Sequence, residues 1–180
     1  MKKIFLSAGH SNKTGRDRGA IGNGYVEGEI TAEFRKLLMI ELQNLGLKPL
    51  ADGDDSILQD TLNFARKVID KNTLSIDIHT NAFSNTTATG CEVLVSNTNS
   101  IEEFNLASKI SETISKTLSI ANRGVKKETQ SKRGRLGWFT LTGQRILVEL
   151  FFISNPKDCE QYQKYKNELA KNIALIIKNN

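Results

Sequence analysis

The sequence predicts an α/β domain, a twisted and mostly parallel β-sheet flanked by helices on both faces. Strand-length apolar segments at 3–8, 74–79 and 146–152 alternate with stretches carrying apolar residues every third or fourth position. A length of 180 residues is about one domain, so 1–180 reads as a single unit. The 38% hydrophobic and 25% charged content is that of an ordinary globular protein, which excludes disordered and coiled-coil classes.

Residues 3–8 form the first strand, and a loop with Gly9, Gly15, Gly19, Gly22 and Gly24 follows it. Phe34, Leu37, Leu38, Leu42 and Leu45 recur at helical spacing, and Gly46 is placed to end that helix. A second strand is expected over 47–51. A helix over about 57–70 follows, with Leu58, Leu62, Ala65 and Ile69 on one side. Leu74, Ile76 and Ile78 alternate with Ser75, Asp77 and His79, the period of a strand. Residues 81–90 read as a polar loop and 92–96 as a strand. Phe104, Ala107, Ile110, Ile114 and Leu118 mark the next helix. The strand over 146–152 is apolar except for Glu149. Asn155-Pro156 then supplies an N-cap and a first-turn proline for a helix with Tyr162, Tyr165, Leu169 and Ile173 inward.

Cys91 and Cys159 are too few for a disulfide framework or a paired-cysteine metal site, and read as reduced, buried residues. The longest apolar stretch, 146–153, falls short of the ~18 residues of a membrane span and contains Glu149. Lys2-Lys3 is followed by only a few apolar residues before Ser7, too few for the ~7–15 of an export signal. With a net charge of +5, the chain favours an anionic partner. Nucleic acid is disfavoured as that partner, because no recognition motif accompanies the charge.

Both histidines of the chain stand at strand carboxyl ends, where open α/β sheets place their sites. His10 lies in Ser7-Ala8-Gly9-His10-Ser11, and His79 in Asp77-Ile78-His79-Thr80-Asn81-Ala82. Imidazole is the commonest metal ligand, and a catalytic zinc takes three protein ligands with one open position. The third ligand should be a carboxylate at the same edge. Glu27 and Glu29 both qualify, and both also suit a first helical turn; spacing leaves the choice open. Glu149 is the most informative residue. A carboxylate in so apolar a strand needs either a cationic partner or a raised pKa, and a raised pKa suits a general base for metal-activated water.

Four segments together resemble the zinc-dependent N-acetylmuramoyl-L-alanine amidases of bacterial autolysins and phage endolysins. The first is Ser7-Ala8-Gly9-His10-Ser11. The second runs from Gly19 to Thr31 and ends Glu27-Gly28-Glu29-Ile30-Thr31, like the family's glycine-rich loop with its liganding glutamate. His79-Thr80-Asn81-Ala82 is similar to the family's His-x-Asn-Ala, and 146–158 is similar to its catalytic strand and following turn. The family's proline before Gly-His is replaced by Ala8, and 123–144 matches poorly.

The resemblance implies that His10, Glu27 and His79 hold one zinc and that Glu149 is the catalytic glutamate. It also selects Glu27 over Glu29. The implied reaction is cleavage of the amide joining the lactyl group of N-acetylmuramic acid to L-alanine. Zinc would lower a water's pKa from about 15.7 to about 7, and Glu149 would carry the proton to the leaving amine. Asn81, Arg133 and Arg135 are candidate substrate contacts.

Arg123, Lys126, Lys127, Lys132, Arg133 and Arg135 face a single acid, Glu128, within 123–135. The default is a solvated basic loop; the sharper reading is attraction to stem-peptide carboxylates or anionic wall polymers. Trp138 and Phe139 fit either a groove or the core. The expected protein is a monomer acting on peptidoglycan, with no wall-binding module, no membrane insertion and no export signal. It would be released like a phage lysin or excised from a secreted enzyme. Two alternatives are a zinc peptidase cutting within the stem peptide and a non-catalytic wall-binding module on the same fold.

Overall fold

In a computed structural model of the chain, described here over residues 3–131 and 133–180, the first strand is β1 (Lys3–Ala8), buried beyond Lys3. Lys2 and Lys132 lie outside the described residues. After β1 come a small hairpin, β2 (Ile21–Gly22) and β3 (Tyr25–Val26), then α1 (Glu27–Asn44), β4 (Leu50–Ala51) and α2 (Leu58–Val68). The rest of the chain is β5 (Thr73–Asn81), β6 (Cys91–Val95), α3 (Ile101–Leu118), β7 (Asn122–Lys127), β8 (Gln144–Phe152) and α4 (Pro156–Lys178). The main sheet has the order β4-β1-β5-β8-β6-β7. Its pairs are parallel except β6 with β8, so the mostly parallel α/β sheet expected from the sequence is the one found.

The pleat sorts side chains between two faces. Leu6, Ile76, Val93 and Val148 point into the larger core, packed against α1, α3 and α4. The opposite face carries Phe5, Leu94 and Leu147 under α2 and a short 3-10 turn at Gly137–Thr140. Trp138 and Phe139 belong to this smaller core. The indole stacks on Phe5 with ring centroids 6.1 Å apart and donates its N–H to the Ile146 carbonyl (3.0 Å).

One helix and one turn cover only part of that face. Past their edge the same pleat brings out Ser7, Asp77, His79, Glu149 and Glu92. Among the described residues no helix is long and apolar enough to cross a membrane. Both cysteines are free and buried.

Three elements depart from the sequence pattern. Helix α1 starts at Glu27, well before its apolar stripe at Phe34. The strand expected over 47–51 keeps only Leu50–Ala51. The first part of the basic segment is not a loop: Asn122–Lys127 is the edge strand β7, with Val125 packed on the core. Its charges protect an open sheet edge, and Gly124 (φ 79°) with a bulge opposite Cys91–Val93 breaks the alternation that would have marked a strand.

The turn after β8 is held from both sides. Asn155 caps α4, its side chain accepting the Lys157 (2.9 Å) and Asp158 (3.3 Å) amides, and donates to the Ala88 carbonyl (3.1 Å). Buried Asp158 accepts the Gly90 (3.0 Å) and Phe152 (3.1 Å) amides, tying the loop before β6 to the end of β8. Replacing Asn155 by Ala should therefore cost about 1–2 kcal/mol, measured by urea denaturation with an unchanged m-value.

Candidate metal centre

The first ligand candidate follows directly from the end of β1. Gly9 donates its amide to Ile78 of β5 (2.7 Å), and His10 takes a left-handed backbone with φ 66°. That conformation is costly for a residue with a Cβ. It turns the imidazole back across the sheet edge, where its centroid lies 5.3 Å from that of His79. Two glycines permit this crowding. A Cβ on Gly9 would sit 2.5 Å from both ring nitrogens of His79. One on Gly19 (φ +74°) would sit 2.5 Å from Glu27 Oε2 and 2.6 Å from the His10 ring.

Glu27, the first residue of α1, is only 3% exposed. Its carboxylate is positioned by backbone: Oε2 accepts the Ala20 amide (2.9 Å) and Oε1 the Thr80 amide (3.0 Å). Thr31, one turn on, donates its hydroxyl to the Gly9 carbonyl (2.7 Å), locking the start of α1 to the end of β1. Glu29, the alternative acid, is exposed and pairs with Arg18.

His10 Nε2 lies 3.4 Å from Glu27 Oε2, and His79 Nδ1 lies 3.2 Å from Glu27 Oε1. The three candidate ligand atoms are all within 4.8 Å of one another. Tetrahedral zinc with bonds of about 2.0–2.2 Å needs ligand atoms about 3.3–3.6 Å apart, and two nitrogens with one carboxylate are donors it accepts. The residues fit such an ion.

Each ring turns its remaining nitrogen to a carboxylate, His10 Nδ1 to Asp17 (3.2 Å) and His79 Nε2 to Asp77 (3.1 Å). Burial opposes the charge on Glu27, but the hydrogen bond with His79 and the charges of both imidazoles hold its carboxyl below the ordinary value. Burial likewise opposes the charged form of His79, and Asp77, Glu27 and Glu149 together more than offset it, so the ring titrates well above 6.5.

Glu149 stands directly across from His79 in the β5–β8 register, with Glu92 of β6 on its other side. Its Oε2 is buried and without a hydrogen-bond partner, and no lysine or arginine among the described residues forms an ion pair with it. Burial pushes its carboxyl up from 4.5 to about 7; His79 opposes this, and Glu27, Glu92 and Asp77 add to it.

The site opens into a cleft of about 840 Å³, lined by His10, Glu27, His79 and Glu149 together with Asn81, Arg123, Lys126 and Arg133. Asn81 donates to Glu92 (3.3 Å) at the cleft wall. Arg135 is exposed and lies outside the lining. Sequence reasoning passed over Glu92, which holds Arg123 (3.0 Å) and Lys126 in the wall, and also Asp17 and Asp77. Asp77 had a signal: it sits two residues before His79 and so on the same face of the strand.

Residues 4–179 match the family model described as N-acetylmuramoyl-L-alanine amidase. The chain belongs to the N-acetylmuramoyl-L-alanine amidase family. It is 28% identical over 179 residues to the N-acetylmuramoyl-L-alanine amidase LytC of Bacillus subtilis, covering 94% of this chain and 34% of LytC. The chain thus spans about a third of that relative's length. Among solved structures, the N-acetylmuramoyl-L-alanine amidase AmiC2 of Nostoc punctiforme is similar, with a TM-score of 0.79 and 25% identity over 98% of this chain and 94% of that one. A protein from Neisseria meningitidis has a TM-score of 0.80 and 31% identity over 98% and 93%.

Two predictions follow from the packing of this amidase-family site. Gly19→Ala should displace Glu27 or His10 and lower metal uptake at least tenfold, read by metal quantification after dialysis. In protein stripped of metal, Glu149 binds its proton more tightly folded (about 7) than unfolded (4.5). Its contribution is complete below pH 4.5 and is lost as pH rises to about 7. E149Q should therefore be more stable than wild type at pH 8 by on the order of 1–3 kcal/mol, with the difference vanishing near pH 4, read by denaturation at both pH values.

Proposed function

We propose that this chain is a peptidoglycan hydrolase. It cuts the amide between the lactyl group of N-acetylmuramic acid and L-alanine, using one zinc held by His10, Glu27 and His79 with Glu149 as general base. The observation that carries the reading is Glu149, whose buried Oε2 has no hydrogen-bond partner and whose carboxyl forms no ion pair with a lysine or arginine among the described residues, aligned across one strand pair from a proposed ligand. Family membership supports the substrate class. A bound zinc supplies Lewis acidity, polarising the scissile carbonyl and acidifying water.

The chain's own residues do the rest. Glu149 accepts a proton from the attacking water as the oxygen bonds to the lactyl carbonyl carbon. It then delivers that proton to the departing nitrogen as the C–N bond breaks. The products are the lactyl carboxylate and the free L-alanine amine. Burial and the neighbouring acids favour proton uptake by this carboxyl, which suits a group that takes a proton and passes it on.

Asn81 and Arg133 lie at the cleft wall where the stem peptide would run. Arg135 lies farther out and serves best as part of a basic approach to anionic wall polymers. Residues 1–180 act as one catalytic unit and as a monomer in this reading, on the wall rather than in a membrane.

The test is hydrolysis of purified peptidoglycan with identification of the new amino termini. Wild type should free L-alanine amines, and E149Q should keep about one zinc while losing at least about 100-fold in rate. New termini on other stem residues would point to a peptidase. Equal rates in the two proteins would make Glu149 structural.

A further inference from the structure

We propose that Asp77 is a positioning residue for His79: it fixes the flip state and tautomer of the ring, so that Nδ1 rather than Nε2 is presented to the metal. The inference rests on the metal reading above and adds a residue to it.

The ring lies between two carboxylates, with Nδ1 3.2 Å from Glu27 and Nε2 3.1 Å from Asp77. Gly9 packs against the ring, since a Cβ there would meet both nitrogens at 2.5 Å. That packing fixes the plane of the imidazole but not which edge faces inward. Turning the ring over exchanges each nitrogen with a carbon, so C–H groups would then face both carboxylates. Only the observed state gives each carboxylate a nitrogen. With Nε2–H donated to Asp77, Nδ1 is the nitrogen left facing the centre, where it would give its lone pair to a metal in place of a proton, as second-layer carboxylates arrange in histidine metal sites generally.

The surroundings of Asp77 argue that this is why the residue is buried. It is 3% exposed, its Oδ1 has no hydrogen-bond partner, and His79 is the sole ion-pair partner of its side chain among the described residues. Asp52 on the same side of the sheet shows what a structural buried aspartate looks like here. It is held by Arg35, the Ser7 hydroxyl (3.0 Å) and the Thr61 hydroxyl (2.5 Å). Asp77 has no such set of donors, and burying a carboxylate with so few is unfavourable unless it acts on its one partner. His10 offers an internal comparison. Its outer carboxylate, Asp17, is 69% exposed at the side chain, so water competes for the imidazole.

The experiment measures the zinc dissociation constant by chelator competition for wild type, D77A, D77N and D17N, with the thermal midpoint of each apoprotein. D77A should bind zinc about 10–100-fold more weakly, with its apo midpoint close to wild type. D77N, which keeps an acceptor and loses the charge, should fall between them. D17N should change affinity by less than about threefold, because its carboxylate is solvated. In long-range 15N–1H spectra of the zinc-loaded wild type, His79 should carry its proton on Nε2.

Zinc affinity of folded D77A within about threefold of wild type would overturn the inference, as would metal found on Nε2. If D77A does not fold, D77N and the wild-type spectrum decide the question. A wild type that takes up no zinc would overturn the metal reading itself, whereas tight zinc binding indifferent to residue 77 would overturn this inference alone.

Discussion

Glu27 is the carboxylate on which the site depends. It opens α1, is held by amides from the glycine-rich loop (Ala20) and from β5 (Thr80), and faces both imidazoles. Dehydrating a carboxylate is costly. Here two backbone N–H groups and two imidazoles replace the lost water, and the start of a helix adds a favourable dipole. Because those groups come from β1, the loop, α1 and β5, the charge can be buried only when all four are in place. The His10 backbone strain and the close approach of Gly9 and Gly19 are consequences of the same convergence.

The unequal cover on the two faces of the sheet turns this convergence into an open site. Three helices seal one face over a large core, while α2 and a short turn seal only part of the other. Strand pairing then places His79, Glu149 and Glu92 side by side across β5, β8 and β6. Adjacent strands lie about 4.8 Å apart, so acids in that row feel one another strongly in a partly dry cleft. The raised pKa of Glu149 and the capture of two basic side chains by Glu92 are two outcomes of one layout. Glu149 has burial and like charge around it; Glu92, one strand farther out, reaches the cations of β7.

Most of the main sheet and all four helices were legible in the sequence, because apolar periodicity reports which face of an element is buried. The two histidines and Glu149 were legible for a related reason: a polar residue at the end of, or within, an apolar strand is expensive and needs a purpose. What was not legible lies where periodicity is weak. Strand β7 has one inward apolar residue and a glycine in its middle, so its charges read as a loop. The β2–β3 hairpin is a two-residue pairing, too short to carry a pattern, and β4 keeps only two residues of the strand expected over 47–51.

Local chemistry along the chain determined the α/β class, the strand-end placement of both histidines and the anomaly of Glu149. Spacing alone could not separate Glu27 from Glu29, since both suit a first helical turn. The tertiary fold gives them different surroundings, one buried between two rings and the other on Arg18 at the surface. Nor could the sequence show that Asp17 and Asp77 would back the two imidazoles, or that Glu92 would gather Arg123 and Lys126. Those contacts join residues whose side chains are aimed by strand register and by loops folding back. Register and loop path are set by the packing of the whole sheet, which no local stretch of sequence contains.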